Sequence, residues 1–152
     1  MTAPIGSATG SIEVSKLASD LHRMGAAARR SLRERMQREA GPLLAEARTR
    51  ASWSTRIPGA ITVRAVTDQT RGRVGVQLRV STAAAPHARP YEGISKQGSS
   101  SYFRHPVYGN PDAWVSQTTR PFAQPAAQAR GAAARAACMA ALDDAARAAG
   151  FH

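Results

Sequence analysis

Cysteine, lysine, acidic residues and long apolar runs are all scarce in this chain, and each shortage closes off a class of protein. There is one cysteine, Cys138, so no disulfide forms within the chain and no thiolate metal site is expected. It lies among alanines in a predicted helix and reads as a small core residue. No run of about eighteen apolar residues occurs, which argues against a membrane span. The opening MTAPIGSATG has neither a basic start nor an apolar stretch, so the chain is expected to be made and kept in a cytoplasm. The four histidines, His22, His87, His105 and His152, include no pair at metal-ligand spacing, so neither metal nor cofactor is expected. Glu92 and Asp112 lie near His105 in sequence with serines adjacent, which leaves a Ser/His/Asp arrangement open on composition alone. There is no nucleophile elbow and no glycine-rich phosphate loop after a strand, and the expectation is a protein that does no chemistry.

What is abundant is arginine and alanine. Ten acids face 21 basic residues, for a formal charge of +11, and only Lys16 and Lys96 among the basic residues are lysines. Such a balance favours an anionic partner, either nucleic acid or an acidic protein face. The plain alternative is the Ala, Arg, Gly and Pro enrichment of a high-GC genome. At 152 residues the chain fits one domain, and its 43% hydrophobic content overstates the core because so much of it is alanine.

Residues 1–10 are Gly, Ser, Thr, Ala and Pro with few others, a composition too poor in apolar surface to order itself, and are expected to be a flexible arm before a single α+β domain over residues 11–152. From Ile12 to about Trp53, Val14, Leu17, Leu21, Met24, Ala28, Leu32, Met36 and Ala40 step by three or four, which predicts one long helix with a buried stripe. Gly41-Pro42 interrupts it, so the helix either kinks or restarts with Pro42 in a first turn. Between Pro58 and Val80 the period changes to two, predicting two strands with Ile61, Val63 and Ala65 of the first and Val74, Val76, Leu78 and Val80 of the second inward. Arg64, Arg73 and Arg79 would share the outer face, facing DNA or an acidic partner, or serving as ordinary solvated strand positions. The segment from Ser81 reads mostly as loop, with a short strand near His87–Glu92 and a mobile stretch over Ile94–Ser101. Further strands are expected over Arg104–Tyr108 and Trp114–Gln117, with a turn forced between them by Gly109, Asn110 and Pro111, giving one antiparallel sheet of three or four short strands. An Ala-rich helix then runs from Phe122 to Ala149, with Pro125 in its first turn and Gly150 as its C-terminal cap. Asp143 and Asp144 near its end conflict with the helix dipole, a conflict that an Arg from another subunit, or solvation alone, would relieve.

Five of the eight aromatics fall within Tyr102–Phe122, YFRHPVYGNPDAWVSQTTRPF. Aromatics give large contact area at low conformational cost, so this concentration marks a contact surface or a core plug. Trp114 is expected to fill the gap between sheet and C-terminal helix, Tyr102 to face a partner, and Phe122 to anchor the helix start. The order FRHPVYGN, WVSQ, RPF and then a C-terminal helix resembles the neck and tail-completion proteins of long-tailed bacteriophages. Upstream, an N-terminal helix, SWSTRIPGAITVRAV, an Arg-rich hairpin and ARPYEG follow the order of that family, so the likeness covers roughly residues 12–150. The chain departs from it in carrying PYEGIS where an aromatic–Glu–Phe–Gly–Thr run is more usual.

The resemblance implies a long N-terminal helix and an Ala-rich C-terminal helix packed on a small antiparallel β-sheet, in a structural virion protein. It implies a homo-oligomeric ring at the head–tail junction, joining connector or stopper proteins to the tail terminator or tail tube, with DNA passing non-specifically and no membrane involved. Tyr91, Glu92, Tyr102, Phe103, His105, Trp114, Arg120 and Phe122 are the expected subunit or partner contacts. The alternative is a basic nucleic-acid-binding protein using Arg23, Arg29, Arg30, Arg33, Arg35 and Arg38, although Glu34 and Glu39 interleave them and no base-reading motif appears.

Overall fold

The computed structural model describes residues 22–68, 73–95, 98–99 and 101–150. The expected N-terminal arm and the first part of the long helix lie outside the described residues. The class is α+β. In chain order the elements are α1 (Ala26–Glu39), α2 (Gly41–Arg50), α3 (Ile57–Ala60), β1 (Ile61–Asp68), β2 (Arg73–Val80), α4 (Ala88–Tyr91), β3 (Ile94–Ser95), β4 (Gly98–Ser99), β5 (Tyr102–Val107), β6 (Asn110–Thr118) and α5 (Ala123–Ala148). The strands do not merge into one sheet. They form three separate two-stranded ladders, β1 with β2, β3 with β4 and β5 with β6. Each ladder joins strands adjacent in the chain by a short connection, and among the described residues no third strand lies alongside any of them.

The predicted long helix is broken where proline demands it. Ala40 leaves helical geometry at φ −83°, ψ 3°, and α2 restarts with Pro42 in its first turn, where a missing N–H costs nothing. A second break at Gly25, in an extended conformation at φ −63°, ψ 158°, was not foreseen. The stretch around His87–Glu92, expected as a strand, is instead the single helical turn α4, and the Ile94–Ser101 segment contains the β3–β4 ladder.

Contacts divide the chain into two compact units where the sequence suggests one domain. Of the described residues, the first comprises those up to Pro42, those within Val63–Leu78 and those from Ala132 onward. Its core holds Met24, Leu32, Met36, Ala65, Cys138, Ala141 and Leu142, with Ala28, Val76 and Ala145 packed against it. Leu32 and Met36 sit one helical turn apart on α1, so the predicted stripe is the buried one. Cys138 is in this core as expected, its Sγ 4.0 Å from the Met36 carbonyl. Burial first, and the Glu39 carboxylate second, push its thiol pKa up. Asp144 meets Arg35 of its own chain at 2.8 Å and Arg147 at 3.6 Å, so the dipole conflict is relieved without a second subunit. Gly150 takes the left-handed conformation at φ +83° that ends α5, as the sequence predicts.

The second unit comprises Leu43–Thr62 and Arg79–Gly131. Leu43, Ala47, Ala51, Ile57, Ile61, Ala88, Phe122 and Ala126 are buried in it. Arg48 donates to the Ile61 carbonyl at 3.0 Å, and Glu46 receives Arg50 at 2.8 Å and Arg130 at 3.7 Å.

Candidate functional site

The residues expected as partner contacts separate into three groups, all in the second unit. Glu92 and Phe122 are inside it. Phe122 is 1% exposed, and Glu92, at 7%, turns its carboxylate onto the start of α5. Oε2 accepts the Phe122 and Ala123 N–H groups at 2.9 and 3.0 Å, and Oε1 accepts that of Gln124 at 2.7 Å. The next residue, Pro125, has no N–H, and Ala126 N–H already bonds the Phe122 carbonyl at 3.2 Å. Every donor orphaned at the helix start is therefore accounted for, and a negative charge sits at the positive end of the dipole. The local sequence Arg120-Pro121-Phe122 offers no capping side chain, so the cap comes from thirty residues upstream. Glu92 thus has its carboxylate committed within the chain.

Tyr91, Phe103 and His105 form the second group, half-buried in an aromatic cluster. Tyr91 lies 4.6 Å from Trp53 and 5.1 Å from Phe103 between ring centroids, with His87 edge-on at 6.1 Å and Phe103 in turn 5.8 Å from His105. Arg120 stacks over Trp53 at 5.5 Å, and its N–H donates to the Tyr91 carbonyl at 2.8 Å. Gln117 Nε2 donates to the Tyr91 hydroxyl at 2.6 Å while its Oε1 faces His105 Nε2 at 3.1 Å. His105 Nδ1 lies 3.0 Å from the Pro106 carbonyl, so neither ring nitrogen faces a serine or a carboxylate. Among the described residues no three His, Cys, Asp or Glu side chains gather as metal ligands would. Nothing in the sequence gives reason to join Trp53, His87 and Gln117 to this cluster; the scarcity of aromatics is the one signal that those present would meet.

The third group is exposed. β5 and β6 pair antiparallel with Tyr102 opposite Thr118, Phe103 opposite Gln117, Arg104 opposite Ser116, His105 opposite Val115 and Pro106 opposite Trp114. Directly paired residues share a face, so Phe103, His105 and Gln117 turn together toward Tyr91. Tyr102, Arg104, Pro106, Trp114, Ser116 and Thr118 turn the other way, and all of them are exposed. Trp114 is 53% exposed and does not fill the core; Phe122 occupies the helix start, and the strand alternation points Trp114 away from Tyr91. Towards the hairpin tip both faces are open, with Val107, Tyr108 and Val115 exposed as well. The tip is a two-residue loop of Tyr108 and Gly109, with Gly109 at φ +81°. Asn110 and Pro111, expected in the turn, already belong to β6.

Arg64 is exposed on β1 and Arg79 on β2, each with no hydrogen-bond or ion-pair partner among the described residues, in line with their predicted outward positions. Arg73 begins β2, and its side chain lies outside the described residues. Among the described residues no helix is long and apolar enough to cross a membrane. No family model, curated protein or solved structure matches the chain.

Proposed function

We propose that this chain is a structural, non-catalytic assembly protein: a ring subunit at the head–tail junction of a long-tailed phage, joining the connector or stopper to the tail tube around a DNA passage. The observation that supports this reading is the β5–β6 hairpin. It leaves Tyr102, Val107, Tyr108, Trp114 and Val115 uncovered on a two-stranded ribbon, while the neighbouring Tyr91 cluster pins only its base. Isolated two-stranded ribbons are marginal in water, and large apolar side chains left in solvent along one are what a partner covers. These residues fall in the segment that carries the sequence resemblance to neck and tail-completion proteins. In this role the hairpin is a contact arm, and DNA passes the ring without being read.

Measuring the mass of the purified chain, alone and with the connector protein added, tests the reading. Multi-copy particles, or uptake onto connector rings, are expected. A chain that stays a single subunit at high concentration and ignores the connector overturns it. Tight DNA binding that falls steeply with salt would instead favour the nucleic-acid-binding alternative.

A further inference from the structure

The hairpin's open face has a definite chemistry. Among the described residues Arg104, beside Tyr102 and Trp114, has no hydrogen-bond or ion-pair partner, and the one acid of the two strands, Asp112, lies two residues before Trp114 on β6, next to the tip. Neither outer edge of the ladder carries a third strand among the described residues. Tyr, Trp and Arg are the side chains that dominate protein interfaces, and a free strand edge is what an extended segment adds to.

Charge decides the occupant. In the second unit Arg56, Arg79, Arg89 and Arg104 are all exposed and, among the described residues, without an ion-pair partner. The acids there are largely spent: Glu46 on Arg50 and Arg130, Glu92 on the α5 start, leaving Asp112 near the hairpin tip. A second copy of this unit would bring like charge to like charge. A nucleic-acid strand fits less well than a polypeptide, because tracking phosphates takes a run of cations and Arg104 is the only one on this face. A polypeptide strand also supplies both donors and acceptors to a free edge.

We propose that the open face of the β5–β6 hairpin docks an acidic, extended segment of a different protein, added as a third strand with a carboxylate on Arg104 and apolar side chains against Tyr102 and Trp114. This rests on the reading of the hairpin as an assembly surface, and it names the chemistry of the partner.

The test uses the full chain and three fluorescein-labelled probes read by anisotropy: a peptide alternating valine and glutamate, its valine–lysine counterpart, and oligothymidylate. The glutamate peptide is expected to bind and the lysine peptide not to. Trp114→Ala should weaken binding by about tenfold or more, Trp114→Phe should retain most of it, and Arg104→Glu should weaken it by about a hundredfold. Arg89→Glu, on α4 and not on the hairpin's open face, should change it less than about twofold. Circular dichroism establishes that each variant is folded. Equal binding of both peptides, tighter binding of oligothymidylate, or indifference to Trp114→Ala overturns the proposal. So does concentration-dependent self-association that Trp114→Ala abolishes while the glutamate peptide stays unbound. A chain that forms particles yet ignores the peptide loses only this inference; one that binds the peptide yet stays a single subunit beside the connector loses only the ring.

Discussion

At the scale of single residues, the largest consequences belong to groups that look ordinary in the sequence. Glu92 holds three backbone donors at the start of α5 from a nearly buried position, so its loss strands donors that no nearby side chain replaces. Glu92→Ala should cost about 3 kcal/mol in urea unfolding, since hydrogen bonds to a charged group are worth about 1.5–3 kcal/mol each and do not add. Glu92→Gln should recover only part of this, because its amide nitrogen turns a donor toward a donor. Trp114→Ala, by contrast, should change stability by less than about 0.5 kcal/mol, as expected of an exposed side chain. Cys138 gives a second check at this scale. Burial raises its pKa, so at any pH below the folded value less of it is thiolate than in the unfolded chain. Its reaction with a thiol reagent at pH 8 should be slower than that of the denatured chain and should reach the denatured rate in urea. A native rate equal to the denatured one would contradict its place in the core.

At the scale of elements, what was legible followed from local rules. The stripe through Leu32 and Met36, the stop at Pro42, the alternation in β1 and β2, and Gly150 as a cap each depend on neighbours within a turn or two. What escaped depends on distance. The α5 cap comes from Glu92, and the Tyr91 cluster gathers Trp53, His87, Phe103, His105 and Gln117 from four separated stretches, so no window on the sequence contains either. Trp114 was misplaced because bulk alone suggested the core, whereas the register opposite Pro106 puts it on the outer face. The turn was found but set one or two residues late. Gly109 is the residue that turn needs: only it adopts positive φ there, with open space around the missing Cβ. Gly109→Ala should therefore destabilise the hairpin by about 1 kcal/mol through backbone strain alone. Amide exchange should show this as faster exchange of the β5–β6 ladder, with the α1 and α5 ladders unchanged.

At the scale of the whole molecule, charge sets opposing demands on the two kinds of association. The chain carries +11 overall, so copies of it repel one another unless salt or an acidic partner intervenes. Screening lengths fall from about 10 Å at 0.1 M ionic strength to about 3 Å at 1 M, which relaxes repulsion between copies more than it weakens apolar contacts. The proposed docking of an acidic strand runs the other way, since an exposed Arg104–carboxylate pair weakens as salt rises. Raising salt should thus increase the share of multi-copy particles seen by light scattering while decreasing affinity for the glutamate peptide. An acidic partner at low salt should substitute for salt, because it removes the repulsion directly. Self-association that falls with salt would mean that copies meet through opposite charges, and the few unpaired carboxylates in the second unit leave little from which to build such a contact.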